Sequence, residues 1–164
     1  KEGFTFEEIK SLFESRSSNY LESKDIMPFD KVNTEIWGIG AEIFVPAAAS
    51  RLLSEDQLDM MISNNLEVIS SGANVPFADE EIFFGPISKR ADQKISVLPD
   101  FIANCGMARA FSYFMEDDCI IKDSNIFSAV SDTIKNALNE SYKKNNSKIN
   151  ISKTAFEIAL KKLI

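Results

Sequence analysis

The side chains able to do chemistry in this sequence are defined first by an absence. The chain holds no histidine, which excludes a histidine base, a Ser-His-Asp triad and a histidine-ligated metal. Its two cysteines, Cys105 and Cys119, are too few for a four-cysteine zinc site or a disulfide scaffold. Cys105 reads as a small buried filler rather than a nucleophile. Cys119 follows Glu116, Asp117 and Asp118, whose charge disfavours a thiolate. Three acidic groups resemble metal clusters at first: Glu55-Asp56-Asp59, Asp79-Glu80-Glu81 and Glu116-Asp117-Asp118. None has the ligand spacing of a calcium loop. Two are expected in the first turn of a helix, where the macrodipole favours anions, so a solvated helix start is the reading for them. Arg109 lies in an otherwise small and apolar stretch. It could meet a carboxylate or a phosphate, but an ion pair with Glu116 or a neighbouring helix is favoured. No catalytic residue and no metal ligand is assigned. Two of the chain's asparagines, Asn74 and Asn104, stand beside small residues just past expected strands. A carboxamide supplies a donor and an acceptor.

Elements must bring such residues together, and the sequence outlines them. Thr5 with Glu8 forms a capping box. Phe6, Ile9, Leu12 and Phe13 then share a face, which predicts a helix over 5–16. Residues 17–38 read as a connection with a short strand or a turn of helix. Ala41–Val45, closed by Pro46, is a buried-strand signal. Ser54 with Gln57 is a second capping box, for a helix over 54–64. Leu66–Ile69 is a second strand, ended by Ser71-Gly72-Ala73-Asn74. Residues 78–92 hold helical turns interrupted by Gly85-Pro86, and Ile95–Leu98 is a third strand. Helical spacing follows over 101–116, 124–143 and 152–164.

Short apolar strands separated by helical segments imply a parallel sheet, about half of a doubly wound one. Ligands in such sheets bind at the carboxyl ends of the strands. Here those ends are Pro46-Ala47-Ala48, Gly72-Ala73-Asn74, and Pro99-Asp100 running on to Asn104-Cys105-Gly106. Small residues there let a flat ligand approach the main chain.

The chain has 164 residues, 45% of them hydrophobic, enough for one domain with a real core. Its net charge of −7 argues against a nucleic-acid or anionic-membrane surface. No apolar stretch is long enough to span a membrane. No signal peptide is visible, and free cysteines without an export signal point to the cytoplasm. The chain opens on Lys1 rather than Met, as expected of one processed or cut from something longer.

The three strand ends resemble one family, the glutamate/leucine/phenylalanine/valine dehydrogenases, in their C-terminal dinucleotide-binding domain. Ala41-Glu42-Ile43-Phe44-Val45-Pro46-Ala47-Ala48 resembles the family's D-I-hydrophobic-V-P-A-A strand. Gly72-Ala73-Asn74-Val75-Pro76 resembles its G-A-N-x-P turn. Pro99-Asp100-Phe101-Ile102-Ala103-Asn104-Cys105-Gly106 resembles its P-D-x-x-x-N-A-G-G segment, and Ser112-Tyr113-Phe114 echoes the stretch that follows. The clear part of the match covers roughly residues 35–116. It implies an α/β fold: a partial Rossmann-like three-layer αβα arrangement with a short parallel sheet, followed by C-terminal helices. Residues 1–116 would be the second half of the dinucleotide-binding domain, and 117–164 a helical segment packing on it. The glycine-rich phosphate turn, the acidic ribose-binding residue and the family's catalytic lysine are not in this chain. Gly38-Ile39-Gly40 is no substitute, because it precedes a strand.

The resemblance implies a parent enzyme that removes the amino group of an L-amino acid oxidatively, with NAD or NADP as cofactor, and a chain inactive on its own. Cofactor contact is expected from Ala47, Ala48, Gly72, Ala73, Asn74 and Asn104. For Asn74 the alternative is a turn residue bonding its own backbone, and for Asn104 a helix N-cap. Two positions depart from the pattern. The second glycine of A-G-G is Met107. The family's small or polar substrate-contacting side chain falls at Phe111, with Ser112 one position late, a turn of ~100° on a helix. With Phe111 there, a small or apolar substrate is favoured over glutamate, and Ser112 would take the position after a one-residue slip. The parent is expected to be a homo-oligomer. The isolated chain is expected to dimerise or rearrange at the strand edge near Ala41–Val45. The competing functions are a nucleotide- or protein-binding module of the same fold that does no chemistry, and a helical interaction piece built on 124–164.

Overall fold

A computed structural model describes residues 3–18 and 26–163. The chain divides into two compact units, Lys1–Ile36 and Trp37–Ile164. In the first, α1 spans Phe6–Glu14 and starts on the expected capping box. Glu8 N–H donates to Thr5 Oγ1 at 3.3 Å, and Thr5 N–H returns a bond to the Glu8 carboxylate at 2.7 Å. Thr5 N–H, and then the Thr5 hydroxyl, hold the Glu8 carboxyl below its usual range. The periodic side chains Phe6, Ile9 and Phe13 are all exposed. Within the stretch expected to be a connection, α2 forms at Phe29–Glu35 after Pro28. Residues 19–25 of that stretch lie outside the described residues.

The second unit runs β1 (Ile43–Phe44), α3 (Glu55–Ser63), β2 (Val68–Ser70), α4 (Pro86–Lys94), β3 (Ser96–Leu98), α5 (Asp100–Ala103), α6 (Gly106–Phe114), α7 (Asp123–Lys144) and α8 (Ile151–Lys161). The three strands are parallel in the order β1-β2-β3, the α/β architecture expected. Register aligns Phe44, Ile69 and Val97 in one row. Side chains alternate between sheet faces, so this row faces one side. There it meets Leu58 and Met61 of α3 and Ala91 of α4, with Leu53, Leu66, Phe77 and Ile95 completing the core. Leu98, of opposite parity, lines a cavity with Leu138 of α7 and Ile151 of α8. Helices therefore cover both faces of the sheet at β3.

The start of α4 and the break between α5 and α6 differ from the sequence reading. Gly85-Pro86 does not interrupt a helix but begins one: Gly85 is the N-cap of α4 and Pro86 its first residue, where a missing N–H costs nothing. The cap comes from Asp79, which accepts from Ile87 N–H at 2.8 Å and Ser88 N–H at 2.9 Å and is 4% exposed. A Cβ on Gly85 would overlap the Asp79 side chain, so glycine is needed where the two cross. Asp79 is thus a buried cap rather than part of a solvated helix start, and of the acidic groups only Glu55-Asp56-Asp59 opens a helix. The helix expected over 101–116 is two, α5 and α6, broken at Asn104-Cys105. At α8 the cap is again remote. Asp92 of α4 accepts from Ser152 N–H and Lys153 N–H, both at 2.9 Å.

Candidate functional site

The carboxyl ends of the three strands meet through main-chain bonds that extend the ladder past its regular part. Ala73 N–H donates to Pro46 O at 2.7 Å and Ser71 N–H to Leu98 O at 3.1 Å. Gly72 lies between them. A Cβ placed on it would stand 3.3 Å from Ala47 Cβ and 3.4 Å from both Pro46 O and Val45 Cγ1. That is tighter than ordinary packing, so the glycine lets β2 draw close to the end of β1. Ala47 and Ala48 are exposed at this rim, and Ala73 is buried beneath it.

After Ala73 the chain turns sharply. Asn74 is exposed. Val75 takes φ +46°, a left-handed conformation that a β-branched residue rarely adopts. Four hydrogen bonds hold the turn. Val75 N–H donates to Asp100 Oδ2 at 2.7 Å. Val75 O accepts from Arg51 N–H at 2.7 Å, and Pro76 O from Leu52 and Leu53 N–H at 3.1 and 3.0 Å. The Arg51 guanidinium also donates to Asp79 O.

Asn104 approaches from the end of β3. Asp100 starts α5 and Asn104 ends it, its N–H donating to Asp100 O at 2.7 Å. Its side chain does not cap the next helix. Cys105 occupies that N-cap position, without a side-chain bond, so the N-cap alternative for Asn104 fails. Instead Asn104 Nδ2 donates to Asn74 Oδ1 at 2.7 Å. The bond given to the Asn74 side chain therefore runs to a second strand end, not to its own backbone.

The other nominated residues are more scattered. Phe111 and Ser112 are both exposed on α6, and no bond among the described residues joins them to the Asn pair. Arg109 is committed to structure. It pairs with Glu116 at 2.8 Å and donates from Nε to Thr133 Oγ1 at 3.2 Å, the favoured reading of its sequence. Cys105 and Cys119 are both half-buried and free. Asp100 was not singled out from the sequence, although it stands in the same segment as Asn104. The signal was its place directly after Pro99 at a strand end.

Chemically, the site offers two exposed carboxamides of fixed mutual orientation, small side chains and nearby main chain. Its donors and acceptors are complementary to a flat, hydroxyl-bearing ligand. Its one carboxylate, Asp100, is occupied with two backbone N–H groups, which leaves no free acid or base in the bonded set. Among the described residues no group of His, Cys, Asp and Glu is placed to hold a metal ion, and no helix is long and apolar enough to cross a membrane.

Comparison with known proteins agrees with this arrangement at the level of fold. The chain is similar to the crystal structure of Plasmodium falciparum glutamate dehydrogenase, with TM-score 0.58 and 18% identity, over 93% of this chain and 34% of that one. It is similar to L-tryptophan dehydrogenase from Nostoc punctiforme, with TM-score 0.57 and 19% identity, over 78% and 36%. A further glutamate dehydrogenase structure matches with TM-score 0.60 and 16% identity, over 93% and 35%. The chain thus spans about a third of the length of each. No curated protein matches it in sequence. The model of the Glutamate/Leucine/Phenylalanine/Valine dehydrogenase family matches residues 1–164, from end to end, and the chain belongs to that family.

Proposed function

We propose that this chain is the nicotinamide-side half of the dinucleotide-binding domain of an amino-acid dehydrogenase, together with its C-terminal helices, and that it is inactive alone. The observation that carries the reading is the Asn104–Asn74 bond at 2.7 Å, which joins two strand ends into one exposed polar rim. The residues fit a nicotinamide nucleotide, NAD or NADP. Gly72 and Ala47 keep the rim free of bulk, and the two carboxamides supply a donor and an acceptor to ribose hydroxyls. When bound, the nicotinamide accepts the hydride that oxidation of the amino acid releases. In this reading Ala47, Ala48, Gly72 and Ala73 shape the floor, Asn74 and Asn104 bind, and proton transfer belongs to groups outside this chain.

Phe111 supports a substrate with a small or apolar side chain, because an aromatic ring stands where the family pattern has a small or polar group. Ser112 points about 100° away on the same helix. The competing reading, a binding module without chemistry, rests on Phe111 and Met107, which are 61% and 68% exposed. The test is to express the parent protein that contains this chain and follow NAD(P) reduction with glutamate, leucine, valine and phenylalanine. Reduction with the apolar amino acids, abolished or weakened by Asn74→Ala, is expected. Nucleotide binding without reduction by any of them would favour the module.

A further inference from the structure

We infer that Asp100 is a positioning residue for the cofactor-binding turn, a conclusion that rests on the cofactor reading of Asn74 and Asn104. The carboxylate bridges the two loops that carry these asparagines. Oδ2 accepts from Val75 N–H at 2.7 Å, directly after Asn74, and Oδ1 accepts from Phe101 N–H at 2.8 Å, in the helical turn that ends at Asn104. The Asp100 main-chain oxygen takes Asn104 N–H at 2.7 Å. One residue therefore ties the backbone on both sides of the Asn74–Asn104 bond.

The bridge does work because the turn is strained. Val75 sits at φ +46°, where its branched Cβ crowds the backbone. Without a partner for its N–H, the turn would relax toward negative φ and swing Asn74 away from Asn104. The two oxygens of the aspartate side chain present one acceptor to each N–H group. An asparagine at 100 has one oxygen, and its amide would face one N–H donor with another.

The experiment uses Asp100→Asn, Val75→Gly and their combination, in this chain and in the parent. In the chain, hydrogen exchange of the Val75 amide and the side-chain amide resonances of Asn74 and Asn104 are followed by NMR, with no cofactor present. Asp100→Asn is expected to speed Val75 exchange about tenfold to a hundredfold, the loss of a charge-assisted bond, and to shift both asparagine amides. In the parent it is expected to raise KM for the nicotinamide nucleotide about tenfold, with kcat at saturating nucleotide little changed. Val75→Gly removes the strain, so adding it to Asp100→Asn should recover most of the KM. Unchanged Val75 exchange in Asp100→Asn overturns the inference whatever the parent catalyses. Altered exchange with an unchanged KM, while Asn74→Ala raises KM, overturns the positioning role alone. A KM indifferent to both Asn74→Ala and Asp100→Asn overturns the cofactor reading and this inference with it.

Discussion

Asn104 donates its side-chain N–H to the Asn74 carboxamide oxygen at 2.7 Å, across thirty positions of sequence. This bond fixes which way each amide faces. It leaves the NH2 of Asn74 as a donor and the carbonyl oxygen of Asn104 as an acceptor. Because both side chains are exposed, water replaces the bond readily, and its worth to folding is below about 1 kcal/mol. Asn74→Ala is therefore expected to leave the melting temperature nearly unchanged while weakening NADH or NADPH binding by the parent about tenfold, the value of one lost bond. Thermal unfolding and a fluorescence titration on the same preparation check this. A large loss of stability with intact affinity would make Asn74 a folding residue.

Gly72 gives the complementary case, in which stability and site fail together. Its missing Cβ would stand 3.3 Å from Ala47 Cβ, so a branched side chain must push the ends of β1 and β2 apart. Gly72→Val is expected to cost about 1–3 kcal/mol, the range for overpacking a close contact. Urea denaturation measures it. A cost near zero would show that the rim yields freely.

The sequence makes local features of this fold legible and hides the remote ones. Thr5 with Glu8 and Ser54 with Gln57 announce their helices because each box closes within one turn. That the three strands are parallel follows from apolar runs alternating with helical spacing, while their order does not. The caps from Asp79 and Asp92 could not be read that way. The first lies several residues before its helix, and the second reaches Ser152 from sixty positions away. The same holds in the site. Small residues at the strand ends marked the rim, but nothing local excluded Asn104 as an N-cap. The break between α5 and α6 excludes it, because it gives the cap position to Cys105. The Asp100 bond to Val75 N–H has no local signal either, because it depends on the left-handed turn at Val75, a conformation that a valine does not advertise.

Among the described residues nothing pairs with the outer edge of β1, which has consequences in solution. The strand lies at the end of the sheet, with Ile43 63% and Val45 55% exposed. At the other end Ser96 Oγ donates to Lys148 O at 2.7 Å and α8 lies against β3, so the two edges differ. An apolar unpaired edge is a template for another strand. The isolated chain is expected to dimerise by light scattering, and Val45→Lys, which sets a charge on that edge, is expected to return it to monomer. A monodisperse wild-type monomer at high concentration would contradict the edge argument.

Asp92 makes a prediction about pH whose sign is opposite to that of most paired carboxylates. It is 2% exposed, and burial pushes its carboxyl above the usual range, against the opposing pull of the Lys153, Ser152 and Ile151 N–H groups and the Lys153 charge. The folded state therefore holds this proton more tightly than the unfolded state does. The resulting stabilisation is fully present below the unfolded value of 3.8 and is lost as pH rises through the raised folded value. Glu8 and Glu157 titrate the other way, since Thr5 and Lys144 respectively hold them down. They are common to wild type and Asp92→Asn, so they cancel when the two are compared. The variant loses one of the two N–H acceptors at every pH, which sets a constant offset. On top of that offset, the stability of wild type relative to Asp92→Asn should fall with rising pH across the interval above 3.8, with a slope no steeper than about 1.4 kcal/mol per pH unit. Urea denaturation of both proteins over that interval measures it. A difference that rises with pH instead would mean that the three N–H groups outweigh burial, and that Asp92 caps α8 as a favourable anion.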